Sequence, residues 1–234
     1  MKRLWVPTTS ADDWRRLLAR PDCHWQPGRS AMALAKCWEA AHPEFPPEIL
    51  RALETADEPR LARLRILAAV PEYQVDLPGG DRPSQTDVLV IATNEDGLVV
   101  IAVEGKVDEE FGPTIENKRK EASPGQMERL DFLHETLGLS QPAPGSTRYQ
   151  LFHRTASAIL VAQQFHASTA VMLVHSFSAT SKWFEDFVAF TSLLASPVER
   201  NRVIRARTVS KPVLFLGWCT GDRSFATDAL MSGG

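Results

Sequence analysis

The chain has 234 residues, 26 basic and 29 acidic, and is 44% hydrophobic and 24% charged, which excludes collagen-like, low-complexity and wholly disordered classes. That length suits a single domain over residues 1–234 with a sizeable buried core. The net charge of −3 gives no global electrostatic footprint for nucleic acid, so any polyanion-binding surface must be a local patch.

The first sixty residues read as a helical layer. Ser10 and Asp13 open a short helix through Leu18 that ends near Pro21, and Ser30 caps a second in which Ala31, Leu34, Ala35 and Trp38 recur at helical spacing. Ile49, Leu50 and Leu53 mark a third after the His42 to Pro47 break. Residues 61–220 form the α/β core, in which the period changes to two. Tyr73, Val75 and Leu77 alternate with polar residues as a half-buried strand. Thr86 to Ala92 and Leu98 to Val107 read as central strands joined by the turn Asn94-Glu95-Asp96-Gly97. Residues 108–148 are polar, with one helix from Pro124 to Leu137 after Ser123. A long helix (Tyr149 to Phe165), a strand (Ala170 to Phe177), a helix around Trp183 to Leu194 and a strand (Val213 to Cys219) follow, and residues 221–234 form a tail. The order predicts an α/β fold with a mixed central sheet flanked by helices.

The chemistry concentrates at the hairpin. With Asn94 to Gly97 as the loop, Thr93 pairs with Leu98 and, counting outward, Asp87 pairs with Glu104. Opposed residues share a face with Cβ atoms about 5 Å apart. Lys106 lies two residues beyond Glu104 and so on the same face. A slipped loop would oppose Asp87 and Lys106 instead and still cluster all three. Two carboxylates at the end of an apolar face repel and lose hydration. Lys106 neutralises part of that charge, and a partly hydrated Mg²⁺ would do so better.

Asp87 followed by Glu104-Gly105-Lys106 resembles the PD-(D/E)XK nuclease superfamily, also called restriction-endonuclease-like, whose signature is an acidic residue on one core strand and a (D/E)-x-K triplet on the next. Thr86 stands where that family often has proline, and the segment after Lys106 is long. The resemblance implies an αβββαβ core and hydrolysis of phosphodiester bonds, most naturally in DNA, with Mg²⁺ or Mn²⁺ as cofactor. Asp87 and Glu104 would hold the ion and Lys106 would position the attacking water. Glu39, on the preceding helix, matches the place of an additional acidic ligand, and is equally readable as a solvent-facing carboxylate. A homodimer would suit cutting both strands.

Gln150 and Arg154, at i and i+4 on the following helix, share a face and are candidates for orienting phosphate or metal. Arg82 is a candidate phosphate contact from its loop. Arg200, Arg202, Arg205, Arg207 and Lys211 form the densest basic stretch, either a nucleic-acid patch or a charged strand edge. The second triplet, Glu116-Asn117-Lys118, reads as solvated charge. The sequence has no GxGxxG, HExxH or GxSxG motif. Three unpaired cysteines (Cys23, Cys37, Cys219) argue for a reducing, cytoplasmic setting, and no CxxC or HxxxH pair supplies the usual zinc spacing. The N-terminus lacks the apolar stretch of a signal peptide, and no apolar run reaches the roughly 20 residues of a membrane span. Two other classes share these residues: a binding or regulatory module that keeps the fold without cleaving, and a hydrolase of small phosphorylated molecules.

Overall fold

The structure is a computed structural model and describes residues 8–120 and 122–227. Six strands form one mixed sheet: β1 (Arg65–Val75), β2 (Ser84–Asn94), β3 (Gly97–Lys106), β4 (Thr169–Ser176), β5 (Arg202–Arg205) and β6 (Val213–Thr220). Their order across the sheet is β1-β2-β3-β4-β6-β5. β1, β2 and β3 meander antiparallel, β3, β4 and β6 run parallel, and β5 closes the far edge antiparallel to β6.

The interior strands are apolar almost throughout because both faces are covered, which is what the parallel part of a sheet requires. On one face lie Leu89, Ile91, Val100, Ala102, Met172, Val174, Leu216 and Trp218. The helix α6 (Tyr149–Gln164) crosses this face, with Leu151, Phe152, Ala156 and Ile159 buried in the same cluster. The opposite face carries Val88, Val90, Val99, Ile101, Val103, Leu173 and Phe215, and is covered by α2 (Ser30–Ala41) and α3 (Pro47–Glu54) through Leu34, Trp38, Ile49 and Leu53. The remaining helices are α1 (Pro21–His24), α4 (Ile115–Lys120), α5 (Pro124–Thr136) and α7 (Phe184–Leu194). Among the described residues, no helix is long and apolar enough to cross a membrane.

Several local expectations change. The hairpin loop is two residues, Glu95 and Asp96, because Asn94 and Gly97 themselves pair; the register Thr93↔Leu98 is unaffected. Gly97 adopts φ +116°, which an L side chain resists, and the Asn94 side chain accepts from the Asp96 amide at 2.9 Å. Ser30 opens α2 but does not cap it: its amide donates to Glu109 Oε1 at 2.7 Å. Residues Ala11–Leu17 form a 3-10 turn rather than an α-helix. α5 has the capping box that Ser123 announces, with Gln126 as its reciprocal partner. Glu116 and Lys120 of α4 are exposed and pair with each other at 3.2 Å, in keeping with solvated charge in that run. Tail residues 228–234 lie outside the described residues.

Candidate functional site

The pairing of β2 with β3 runs from Asn94↔Gly97 to Val88↔Val103, which leaves Asp87 and Glu104 as the next positions out, on the face that α6 covers. Asp87, Glu104 and Lys106 line one cleft of about 530 Å³ together with Glu72, Gln85, Gln150, His153 and Arg154. Gly105 separates the two charged members of the triplet. Its amide donates to Asp87 Oδ2 at 2.8 Å. A Cβ there would stand 3.2 Å from Leu34 on α2, so this position holds strand and helix layer close together.

Glu104 is fully engaged although it is buried. Its Oε1 accepts from Lys106 Nζ at 2.8 Å and from Gln150 Nε2 at 2.6 Å, and its Oε2 accepts from Arg154 Nε at 2.5 Å. Gln150 Oε1 in turn accepts from Lys106 at 3.2 Å. Arg154 also reaches Asp87 Oδ1 at 3.7 Å and donates to Ser84 Oγ at 3.0 Å. The i, i+4 spacing on α6 therefore delivers both Gln150 and Arg154 to one carboxylate. Ser84 Oγ also shares a hydrogen bond of 2.9 Å with His153 Nδ1. Burial, then the charge of Arg154, holds the His153 imidazole well below its ordinary range, so the ring is neutral.

The third carboxylate is Glu72, which sequence reasoning passed over. It lies in β1 between the pairs Pro71↔Val88 and Tyr73↔Thr86, and so across from Asp87. Its backbone has φ +53°, an uncommon conformation for a residue with a side chain. Gln85 Nε2 donates to its Oε2 at 2.7 Å and to the Leu17 carbonyl at 3.3 Å. Three adjacent strands thus bring Glu72, Asp87 and Glu104 into one row. No signal in the sequence marks Glu72 beyond its place among the polar partners of Tyr73, Val75 and Leu77.

Charge in the row is unevenly compensated. Burial pushes Glu104 up, but Arg154 and Lys106 outweigh it and hold this carboxyl below its usual range. Asp87 is pushed up to about 7 by burial and then by the charge of Glu104. Burial followed by the charge of Asp87 pushes Glu72 up to about 9. Glu72 and Asp87 therefore hold protons more tightly than usual, and a cation at the open side of the row would displace them.

Other expected members lie elsewhere. Glu39 does not line the cleft: only the start of α2, at Arg29, Ser30 and Ala31, does so. Glu39 is eight residues beyond Ala31, roughly 12 Å along the helix, and accepts from the Trp14 indole at 2.7 Å. The arginine-rich stretch sits at the opposite edge of the sheet, since β5 is separated from β3 by β4 and β6. There Arg200 stacks on Phe184, Arg202 pairs with Glu199, Arg205 is exposed and Arg207 donates to Ser196, which makes this stretch a solvated edge rather than a wall of the cleft. Lys211 is exposed on the loop that follows β5. Arg82 lines an adjoining groove with Lys118, Arg129 and Tyr149. The Arg129 guanidinium organises that loop, donating to the carbonyls of Leu77, Pro78, Gly80 and Arg82. At the cleft itself the cationic margin is Arg29 and Lys118.

No curated protein and no solved structure matches the chain. A family model described as a domain of unknown function, DUF6946, matches residues 7–223, which contain every residue of the cleft. The chain belongs to the DUF6946 family.

Proposed function

We propose that the cleft hydrolyses phosphodiester bonds, with DNA as the substrate and Mg²⁺ or Mn²⁺ as the cofactor, on a restriction-endonuclease-like αβββαβ core. The observation that carries this reading is the row Glu72–Asp87–Glu104 with Lys106 beside it at the rim of a six-stranded mixed sheet. The donor set fits the ion: carboxylate oxygens are what a hard divalent cation takes, and two of the three resist ionising without one. Asp87, Glu72 and Glu104 would hold it. When bound, such an ion makes a water ligand more acidic and neutralises charge on phosphate oxygens.

The chain's own residues supply the rest. Lys106, fixed by Glu104 and Gln150, presents a positive charge where the pentavalent phosphate gathers negative charge. Arg154 is a positioning residue, since it is buried and spends its guanidinium on Glu104, Asp87 and Ser84. Arg29 and Lys118, which line the margin, would meet the phosphates of the strand.

A second reading, a module that binds nucleic acid without cutting it, draws on the fact that both oxygens of Glu104 are already taken. Incubating single-stranded, duplex and plasmid DNA with the protein in Mg²⁺ or Mn²⁺ separates the two. Cleavage by the wild type that is lost in Asp87→Asn supports the nuclease. DNA retained without cleavage under every condition supports the module.

A further inference from the structure

On the face of the sheet opposite the carboxylate row, the geometry points to a second metal centre, formed by Cys37 of α2, Glu48 of α3 and His175 of β4 and suited to a borderline transition ion such as Zn²⁺. The inference does not depend on the reading of the cleft. The three ligand atoms lie within 4.8 Å of one another. His175 Nε2 is 3.0 Å from Glu48 Oε1, and Cys37 Sγ is 3.6 Å from the same oxygen. A tetrahedral zinc with bonds of about 2.0–2.3 Å holds neighbouring ligand atoms roughly 3.3–3.6 Å apart; the Cys37–Glu48 separation matches this, and the closer His175–Glu48 pair needs to part by only a few tenths of an ångström. A thiolate, an imidazole and a carboxylate together select zinc over magnesium or calcium.

The surroundings agree. His175 is fully buried, its ring tilts at 37° against that of Phe177 with centroids 4.4 Å apart, and its Nδ1 has no partner among the described residues. All of the ring's polar contact is therefore on the Glu48 side. A Cβ at position 221 would come within 2.6 Å of His175 Nε2 and of the Phe177 ring, so only glycine lets the chain after β6 pack this closely on that nitrogen. Cys219, the register partner of His175 on β6, brings a second buried thiol to the same face. Burial, and then the Glu48 carboxylate, pushes the Cys37 thiol up, so it stays protonated until a cation arrives. Binding would release the Cys37 proton to solvent and move the ring proton that Nε2 donates to Glu48 onto Nδ1, leaving the Nε2 lone pair for the ion, while Glu48 enters as the carboxylate it already is. The three ligands come from two helices and a strand, so the ion would pin the helical layer to the sheet.

The test uses the full chain, stripped of metal and titrated with Co²⁺ as an optical stand-in for Zn²⁺. The expected result is one thiolate-bound ion per chain, counted by a near-ultraviolet thiolate-to-cobalt band and the visible bands of tetrahedral cobalt, which Zn²⁺ displaces whether or not the carboxylate cleft also takes up Co²⁺. Cys37→Ser should abolish the thiolate band and weaken binding by more than the roughly 10–100-fold that outer-shell partners are worth. Asp87→Asn and Cys23→Ser should leave the band in place, which keeps this centre distinct from the cleft and from the exposed thiol. If Cys37→Ser does not fold, Glu48→Gln, at a half-buried position, should weaken Co²⁺ binding by a similar factor. Absence of a thiolate band in the folded wild type, or an unchanged band in folded Cys37→Ser, overturns the proposal. So does unchanged Co²⁺ affinity in Glu48→Gln.

Discussion

Glu72 in β1 stands across from Asp87 in β2 with its backbone at φ +53°, and the charge of Asp87 adds to burial in raising the proton affinity of Glu72. A strained conformation that aims a charge at a like charge opposes stability on two counts. The proposed role of the row explains why both are tolerated.

The strain is directly measurable. Glu72→Gly relieves the left-handed backbone and removes one buried carboxyl from the row, against the extra chain entropy that glycine brings to the unfolded state. We expect a gain of about 1 kcal/mol in denaturant unfolding without divalent ions, accompanied by a fall in metal-dependent cleavage. Loss of both stability and cleavage would mean that Glu72 is a structural residue only.

Arg154 has the opposite character. It is the main counter-charge of buried Glu104, so Arg154→Ala leaves a carboxylate in the core with Lys106 alone. Breaking such a pair costs about 3–5 kcal/mol. Combining it with Glu104→Gln should recover part of that loss, and a double-mutant cycle by urea unfolding reads the coupling. Strictly additive losses would show that the pair is not coupled.

The acid–base behaviour follows from the same row. Asp87 is raised from 3.8 to about 7, so the folded chain keeps a proton that the unfolded chain gives up. Stability from this group is therefore full below about pH 3.8 and falls as pH rises through about 7. Without divalent ions, Asp87→Asn should melt a few degrees above the wild type at pH 8, with the difference closing towards pH 4. Glu104, held below its ordinary 4.5, has the reverse sign, and its contribution is lost as pH falls through its lowered value. Cleavage should rise as pH passes about 7, where Asp87 ionises. A rate independent of pH across that range would remove Asp87 from the chemistry.

How much of this was legible in the sequence depends on whether the information was local. The turn at Asn94 to Gly97 set the β2–β3 register, and with it the juxtaposition of Asp87 and Glu104, because a hairpin's pairing depends on a few adjacent residues. Gln150 and Arg154 were legible as a shared helix face for the same reason. Glu72 was not: alternation says which residues of a strand share a face, but gives no sign of a positive φ or of the partner across the strand. That Glu39 lies away from the cleft was not legible, because a helix's apolar stripe does not say which of its ends abuts the site. Nor was the distance of the β5 arginines from it, because strand order across the sheet is a long-range property, and β5 pairs at the edge remote from β2 and β3. Cys37, Glu48 and His175 share no sequence spacing at all; only the packing of α2 and α3 on β4 unites them.

The central claim is tested most directly by single-turnover cleavage of duplex DNA in Mg²⁺ by the wild type and by Lys106→Ala, at equal folded concentration. The account predicts cleavage by the wild type and a rate lower by about 10²–10³-fold in the variant, the scale of losing one group that stabilises developing charge. Equal rates, or no cleavage by the wild type, would contradict it.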